Sequence, residues 1–308
     1  MGGLGDDSNG VAYVLNDLWK YSAGEWTWEG GSNLINQNGN YGILGTAAPS
    51  NVPGARQYPV NWVDGTGNLW LFGGWGSDST GTLGLLKDLW MYSGGEWTWM
   101  GGSNLVNQSG TYGTQGMGAS GNVPGAREFV LSWTDTAGNF WLFGGDGLDS
   151  TGASGVLNDL WKYSAGEWTW ISGSNLMRQS GVYGTQGTAA STNVPGTRGG
   201  AAGWTDHAGN LWLFGGQGVD SNGNYGDLND MWKYGAGQWT WMSGSNILGQ
   251  TGTYGTLGIA DPGNVPGARY QVVSWTAASG NFWLFGGSFY DSSLGSVVEF
   301  NDLWEYEP

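Results

Sequence analysis

The chain has 308 residues, 62 of them Gly and 22 Trp, and its 9 Lys and Arg against 25 Asp and Glu give a net charge of -16. This acidity repels phosphate backbones and anionic lipid, so nucleic acid and membrane surfaces are excluded as partners. The chain contains no Cys, which excludes a disulfide scaffold, a thiolate metal site and a cysteine nucleophile. No apolar run reaches the ~20 residues of a membrane-spanning helix, and the first residues lack the pattern of a signal peptide.

An internal period organises the whole chain. The tetrapeptide NDLW and its variants recur at intervals of 71, 71, 71 and 72 residues, beginning at Asn16, Lys87, Asn158, Asn229 and Asn301. The motif NVPGAR or NVPGTR keeps the same spacing, beginning at Asn51, Asn122, Asn193 and Asn264. A fixed period of this kind indicates a repeat protein in which every unit has the same fold.

The predicted elements, taken in chain order, are all strands. Residues 1–29 predict two strands, in "DLWKY" and "EWTWE". Each of the segments 51–101, 122–172 and 193–243 predicts four strands, because apolar and aromatic residues alternate in short runs bounded by Gly, Asn, Asp and Pro. Residues 264–308 predict the first three of these strands, ending in "NDLWEYEP". No stretch has a helical period, so the sequence predicts an all-β protein.

A double glycine closes the second strand of each unit, and in three units it is followed by a Tyr, with a Trp seven positions after that Tyr. These residues are Gly73–Gly74 with Tyr92 and Trp99, Gly144–Gly145 with Tyr163 and Trp170, Gly215–Gly216 with Tyr234 and Trp241, and Gly286–Gly287. The pattern resembles the kelch repeat, although its period of 71 exceeds the roughly 50 residues usual for kelch.

The resemblance implies a β-propeller built from four-stranded antiparallel blades, with the two ends of the chain sharing one blade. We therefore expect one propeller domain over 1–308 with four blades. Residues 1–29 would supply strands three and four of the closing blade, and residues 264–308 would supply strands one to three. The third strand is then present twice, which leaves one copy spare for assembly into a homo-oligomer.

The positions of the tryptophans separate residues that are predicted to pack from residues that could bind a ligand. Of the 22 Trp, 21 occupy five repeated positions, as blade-on-blade packing requires. Trp75 alone is off the pattern, and at a loop tip it would either stack on a ligand or cover its own loop. Arg178 is also unshared, since the equivalent positions hold Asn36, Asn107 and Gly249, and such residues are where a ligand preference could reside.

Three repeated polar motifs are candidates for binding, and each has a structural alternative. The arginines after PGA or PGT could bind an anion in a channel or be tied to backbone carbonyls or to a neighbouring blade's carboxylate; they are Arg56, Arg127, Arg198 and Arg269. The tyrosines four residues after a Gln could recognise a sugar or anchor a loop; they are Tyr41, Tyr112, Tyr183 and Tyr254. The DSTG and DSNG loops at Asp78, Asp149 and Asp220 could bind Ca²⁺ or form Asx turns.

An enzyme function has almost no support in the sequence. The single His207 lies in a predicted turn, and no nucleophile and base pair is present. Galactose oxidase has a kelch-like propeller, but its copper site needs His and a Cys-linked Tyr, which this chain cannot supply. We expect no cofactor and a non-catalytic interaction scaffold that binds a protein partner through its loops and channel mouth. Its acidity and its similarity to bacterial kelch-like proteins favour a cell-surface or extracellular location. The alternatives are a glycan-binding lectin and a self-assembling structural protein.

Overall fold

The computed structural model describes residues 1–308 and is all-β, which confirms this part of the predicted fold class. Its strands form small antiparallel sheets, and none of its elements is a helix that could cross a bilayer. The chain divides into two compact units. The first comprises Met1–Tyr112, Gly121–Phe129 and Gly147–Ala153, and the second comprises Gly113–Ser120, Val130–Asp146 and Ser154–Pro308.

The N-terminal segment forms two hairpins. Strand β1 (Gly3–Asp6) pairs with β2 (Ala12–Leu15), and β3 (Leu18–Ser22) pairs with β4 (Glu25–Gly30). Ala23 and Gly24 have positive φ values of 53° and 85° at the tight turn between β3 and β4. We call β3 and β4 together the N-terminal hairpin.

The next repeat forms a complete sheet, which we call the first sheet. Its strands are β5 (Arg56–Gln57), β6 (Val60–Val63), β7 (Leu69–Ser77), β8 (Leu83–Ser93) and β9 (Glu96–Gly101). Both β5 and β6 pair with β7, followed by β8 and β9. The predicted first strand is divided in two at Tyr58, which has a φ of 51°. Strands two and three are longer than predicted, because β7 and β8 continue as a hairpin beyond the double glycine.

The second and third sheets repeat this arrangement. The strands of the second are β10 (Arg127–Glu128), β11 (Leu131–Thr134), β12 (Phe140–Leu148), β13 (Ser154–Ser164) and β14 (Glu167–Ser172). The strands of the third are β15 (Arg198–Gly199), β16 (Ala202–Thr205), β17 (Leu211–Phe214), β18 (Gln217–Val219), β19 (Tyr225–Asp227), β20 (Met231–Gly235) and β21 (Gln238–Ser243). The third sheet proper has the order β16-β17-β20-β21, while β15, β18 and β19 form a small sheet of their own.

The last repeat has no fourth strand. Its elements are β22 (Val273–Thr276), β23 (Phe282–Phe285), β24 (Ser288–Asp291), β25 (Ser296–Glu299) and β26 (Leu303–Tyr306). β26 takes the third place beside β23, and the N-terminal β3 and β4 pair only with each other. We call β22, β23 and β26 the C-terminal sheet. The blade shared by the chain ends and a closed four-blade propeller stay predictions.

Aromatic side chains pack each sheet of the second unit against the next. The indole Nε1 of Trp133 donates to the carbonyl of Trp212 (3.0 Å), and that of Trp204 donates to the carbonyl of Trp283 (3.1 Å). The two main clusters in this unit each combine side chains from adjacent sheets, such as Phe143 with Trp239. Packing between like sheets, predicted for the repeated tryptophans, is therefore present here.

The double glycines allow this close approach of successive repeats. The first glycine of each pair has a left-handed φ, between 61° and 65° at Gly73, Gly144 and Gly215. A Cβ there would lie 2.8, 2.5 and 2.8 Å from the carbonyl oxygens of Arg127, Arg198 and Arg269, respectively, which belong to the following repeat. Only Gly satisfies both the backbone conformation and the contact.

Candidate binding site

The repeated arginines are structural in this arrangement. The Arg56 guanidinium is fully buried and donates to both carboxylate oxygens of Asp88 at 2.7 Å and to the Gly73 carbonyl at 2.9 Å. Burial alone would lower the pKa of the Arg56 guanidinium. The Asp88 carboxylate raises this pKa by more than burial lowers it, so the net shift is upward. The carboxylate belongs to the arginine's own repeat rather than to a neighbouring blade.

The same fork joins Arg198 to Asp230 and Arg269 to Asp302. Arg127 is also fully buried, and its Nε donates to the Gly125 carbonyl at 2.9 Å. An anion in solution could reach Arg56, Arg198 or Arg269 only by displacing the carboxylate already paired with each of them, which bidentate pairing opposes.

The tyrosines of the predicted sugar motif are mostly buried beside these ion pairs. The Tyr41 hydroxyl donates to Asp88 and the Tyr183 hydroxyl to Asp230, at 2.7 and 2.6 Å. Burial and the adjacent carboxylate raise the pKa of both phenols. Tyr112 is buried too, whereas Tyr254 is 51% exposed. Three of the four rings therefore cannot stack on a sugar in this structure.

The Asp loops form turns with their own residues. Oδ1 of Asp78 accepts from the Thr80 and Thr82 backbone N–H groups at 2.7 and 3.0 Å, and Oδ2 accepts from the Val106 N–H at 3.2 Å. Burial raises the pKa of Asp78, but these hydrogen bonds lower it more. N–H donors point at the oxygens that a Ca²⁺ ion would need, which fits an Asx turn. No group of three or more His, Asp or Glu side chains is placed to hold a metal ion.

The two unshared residues have different surroundings. Trp75 lies in the β7 extension, half-buried, with its ring edge-on to Tyr13 at 6.2 Å. Arg178 is exposed, has a φ of 56°, and holds its guanidinium 5.8 Å from the ring centre of Tyr225. Only Arg178 leads to a larger set of polar side chains.

That set occupies positions where the repeats differ from one another. The extension of the first sheet pairs Trp75 with Leu85, both apolar. The corresponding pairs are Gln217 with Asp227 in the third repeat and Ser288 with Glu299 in the last. Their side chains hydrogen-bond across the strands: Gln217 donates to Asp227 at 3.0 Å and Ser288 donates to Glu299 at 2.8 Å.

Tyrosines join the two polar pairs. The Tyr225 hydroxyl donates to Gln217 Oε1 at 3.0 Å, and the Tyr290 backbone N–H donates to Asp227 Oδ2 at 2.7 Å. Asp227 is buried, whereas the rings of Tyr225 and Tyr290 are exposed. We call this set the polar cluster; it comprises Arg178, Gln217, Tyr225, Asp227, Tyr270, Ser288, Tyr290 and Glu299.

The electrostatics of the polar cluster are acidic. Burial raises the pKa of Tyr225, and the carboxylates of Asp146 and Asp227 raise it further, with Arg178 opposing them. Burial, Asp227 and Glu299 likewise raise the pKa of Tyr270. Carboxylates beside aromatic faces are the groups that bind a cationic side chain, through charge and cation–π contacts.

The sequence predicted Arg178 as a candidate binding residue but not the rest of this cluster, although a signal was present. Asp227 and Glu299 stand where the first two repeats have Leu85 and Val156, so a carboxylate replaces an apolar residue at a repeated position. A position-by-position comparison of the repeats over the hairpin beyond the double glycine reveals this replacement. That comparison needs the pairing register of the hairpin beyond the double glycine, a segment for which the sequence predicted a loop between strands two and three.

A shallow cleft of about 370 Å³ lies in the second unit, and its lining includes Asp135, Trp141, Lys162 and Tyr234. Trp141 donates to Asp135 at 2.8 Å, and Lys162 lies 5.4 Å from the Trp141 ring centre. These groups of the cleft therefore partner one another.

No protein-family model matches the chain, and no curated protein does. Among solved structures, YjhT aligns over 94% of this chain and 76% of its own, with 14% identity and a TM-score of 0.53. At this identity the likeness shows a shared fold alone. A protein of unknown function from Dyadobacter fermentans aligns over 80% of this chain and 65% of its own (10% identity, TM-score 0.41). A fungal alcohol oxidase of the AA5 family in complex with copper aligns over 80% and 53% (13% identity, TM-score 0.34).

Proposed function

We propose that the chain is a non-catalytic scaffold of kelch-propeller type that binds a protein partner through the polar cluster. The observation that supports this proposal is the break in the repeat. Leu85 in the first repeat is replaced by a buried Asp227 and an exposed Glu299, which serve no packing role common to all repeats. We place this scaffold at the cell surface or outside the cell, on the basis of its acidity and of the kelch resemblance.

The chemistry of the cluster indicates what the partner presents. Tyr and Arg are enriched in protein interfaces, and Tyr225, Tyr290 and Arg178 are exposed around a carboxylate pair. The exposed Glu299 favours a Lys or Arg side chain, which would contact this carboxylate at one end and a tyrosine ring along its stem. The partner segment is therefore basic.

A peptide array graded by Lys and Arg content tests this function. We expect basic peptides to bind, and the double variant Tyr225→Ala/Glu299→Gln to weaken binding by tenfold or more. The matched control is Tyr58→Ala, an exposed tyrosine outside the cluster. Binding that is absent, or equally weakened in the control, contradicts the proposal.

A glycan array run on the same protein addresses the lectin alternative. Because Tyr41, Tyr112 and Tyr183 are buried, only Tyr254 and Trp75 of the predicted sugar contacts have accessible ring surface. Specific sugar binding lost in Tyr254→Ala would replace the present proposal with the lectin function.

A further inference from the structure

Arg178 is the one arginine that is not part of a repeated motif, and it lies in the long segment that connects the fourth strand of one repeat to the first strand of the next. Its backbone N–H donates to the Val156 carbonyl at 2.9 Å. The equivalent N–H groups of Asn107 and Gly249 make the same bond, at 2.7 and 2.8 Å. The backbone role of this position therefore does not require an arginine side chain.

The backbone conformation at this position disfavours arginine. The φ of Arg178 is 56°, in the left-handed region, where Gly and Asn are the least costly residues. At the equivalent position, Asn107 Oδ1 also accepts from the Leu85 N–H at 3.0 Å, and an arginine side chain has no acceptor atom for such a bond. Arg178 thus replaces a residue that is better suited to the loop, which points to a role for its guanidinium.

The guanidinium lies over the ring of Tyr225. Its carbon atom is 5.8 Å from the ring centre, within the range of a cation–π contact. The Tyr225 hydroxyl donates to Gln217, and the Gln217 amide donates to Asp227, so hydrogen bonds hold the ring in place while it stays 46% exposed. The ring is therefore an anchored aromatic surface that already carries a cation.

The charges around Tyr225 favour one positive group on its ring. Burial raises the pKa of the Tyr225 phenol, the carboxylates of Asp146 and Asp227 raise it further, and Arg178 lowers it. All three charged side chains thus act on the same tyrosine. The two carboxylates attract a cation to the ring, and a second cation arriving beside Arg178 is repelled by the first.

We infer that Arg178 occupies the position that a cationic side chain of the partner takes on Tyr225, and so competes with the partner for the polar cluster. This inference rests on the proposed function, because it concerns the same ring and the same class of ligand. The partner binds only when Arg178 moves off the ring. A segment with a further cation at Glu299 offsets the loss of the Arg178 contact, whereas a lone cation only exchanges one cation–π contact for another. Arg178 is therefore a specificity-determining residue.

The variant Arg178→Asn tests the competition and suits the backbone, since asparagine stands at the equivalent positions 36 and 107. The probe is a fluorescein-labelled hexalysine peptide, and fluorescence anisotropy measures its dissociation constant. We expect Arg178→Asn to bind the peptide roughly two to five times more tightly than the wild type, which is the size of one exposed cation–π contact.

Two further variants separate this contact from net charge. Lys162→Gln also removes one positive charge from the second unit, where Lys162 lies over Trp141 instead of Tyr225, and it should bind as the wild type does. Arg178→Lys keeps a cation at the position and should also bind like the wild type, because lysine makes cation–π contacts too. Equal tightening in Lys162→Gln would show that net charge sets the affinity and would overturn the inference.

A double-mutant cycle with Tyr225→Ala tests where Arg178 acts. In the Tyr225→Ala background, Arg178→Asn should tighten binding by less than it does in the wild type, because the ring for which the two cations compete is absent. An equal gain in both backgrounds would place the effect of Arg178 away from Tyr225 and would overturn the inference.

The outcomes of the peptide titration distinguish this inference from the proposed function. If the wild type binds the peptide and Arg178→Asn binds it equally or more weakly, the inference is overturned and the proposed function stands. If only Arg178→Asn binds, the inference is supported and the proposed function fails for the wild type. If neither binds, both are overturned.

The denaturation midpoint of Arg178→Asn checks its folding. It should equal or exceed that of the wild type, since asparagine adopts a left-handed φ more readily than arginine does. A lower midpoint together with unchanged binding would assign Arg178 a structural role and overturn the inference.

Discussion

The first sheet and the N-terminal hairpin contain the same EWTW motif in different surroundings. Trp97 is buried by the long segment and by Trp90 and Tyr92, while Trp26 has only Tyr21 against its ring. The carboxylates differ in the same way. Asp88 accepts from Arg56, Tyr41 and Trp90, whereas Asp17 accepts only from Trp19. Identical local sequence thus gives a core or a surface according to which neighbouring segments reach it.

Asp88→Ala is expected to have the largest effect, because it leaves the fully buried Arg56 without its counter-ion. Breaking a buried pair in this way costs about 3–5 kcal/mol of unfolding free energy. Asp17→Ala is the matched control and should cost about 1 kcal/mol or less, the contribution of one hydrogen bond. Guanidinium denaturation of both variants measures the two values. Equal costs would contradict the contrast between the two regions.

Trp97→Ala and Trp26→Ala extend the comparison to apolar packing. Removing a buried Trp side chain typically costs about 3–5 kcal/mol, and we place Trp97→Ala toward the lower end because its ring is not completely enclosed. Trp26→Ala at low protein concentration should lie within about 0.5 kcal/mol of the wild type. Chemical denaturation of the two variants measures both changes in unfolding free energy. A large loss of stability in Trp26→Ala would show that the hairpin is covered in solution.

Gly144→Ala and Gly286→Ala compare an interior double glycine with the last one. Both residues have a left-handed φ, of 61° and 66°, which costs an Ala roughly 1–2 kcal/mol. At Gly144 the new Cβ also meets the Arg198 and Leu157 carbonyl oxygens at 2.5 and 2.7 Å, whereas at Gly286 it meets only the Phe300 carbonyl oxygen at 3.1 Å. We expect Gly144→Ala to cost an additional ~1–3 kcal/mol from crowding. Thermal unfolding of the two variants should rank them in this order, and the reverse order would refute the role assigned to the glycine.

The environment of Asp302 is intermediate between that of Asp88 in the first sheet and that of Asp17 in the N-terminal hairpin. Its side chain is 16% exposed but still pairs with Arg269. Burial raises its pKa, but hydrogen bonds from Arg269, Trp304 and Tyr254 lower it more, to about 2 from an ordinary 3.8. A lowered folded-state pKa means that the ionised carboxylate stabilises the fold above about pH 4 and that this contribution is lost as the pH falls toward 2.

The test compares the wild type with Asp302→Asn from pH 6 to pH 2. The difference in denaturation midpoint should be constant above about pH 4 and shrink toward pH 2. A difference independent of pH would show that the Asp302 charge contributes nothing. This is the smallest of the four expected effects, because the pair is partly accessible to solvent.

The sequence predicted the repeats and the strands well, because the period of 71 residues and the alternation of apolar residues are local signals. It also gave the structural alternative for the buried Tyr and Arg residues. The partner of Arg56 was not predictable in the same way, since Asp88 lies 32 residues away and becomes a neighbour only once β7 and β8 are paired.

The ends of the chain and the polar cluster were harder to predict for the same reason. The sequence indicated a blade shared by residues 1–29 and 264–308, which stays a prediction because strand identity alone does not fix which edges meet. Within the last repeat, β26 lies beside β23 in the third place. The polar cluster depends on the register of Gln217 against Asp227. That register follows from the hairpin beyond the double glycine, which has no strong strand signal of its own.

One irregularity in the spacing has a practical consequence. The last repeat is one residue longer, and its hairpin absorbs the addition at the tip: Ser288 bonds to Glu299 across 11 positions, where Gln217 bonds to Asp227 across 10. The ion pair beneath is unaffected, with Arg269 and Asp302 still forked together at a separation of 33 instead of 32. The tip around Ser292 and Ser293 is therefore a place where an engineer can graft an epitope or a fluorescent probe, and where length can vary during evolution, without cost to the core network.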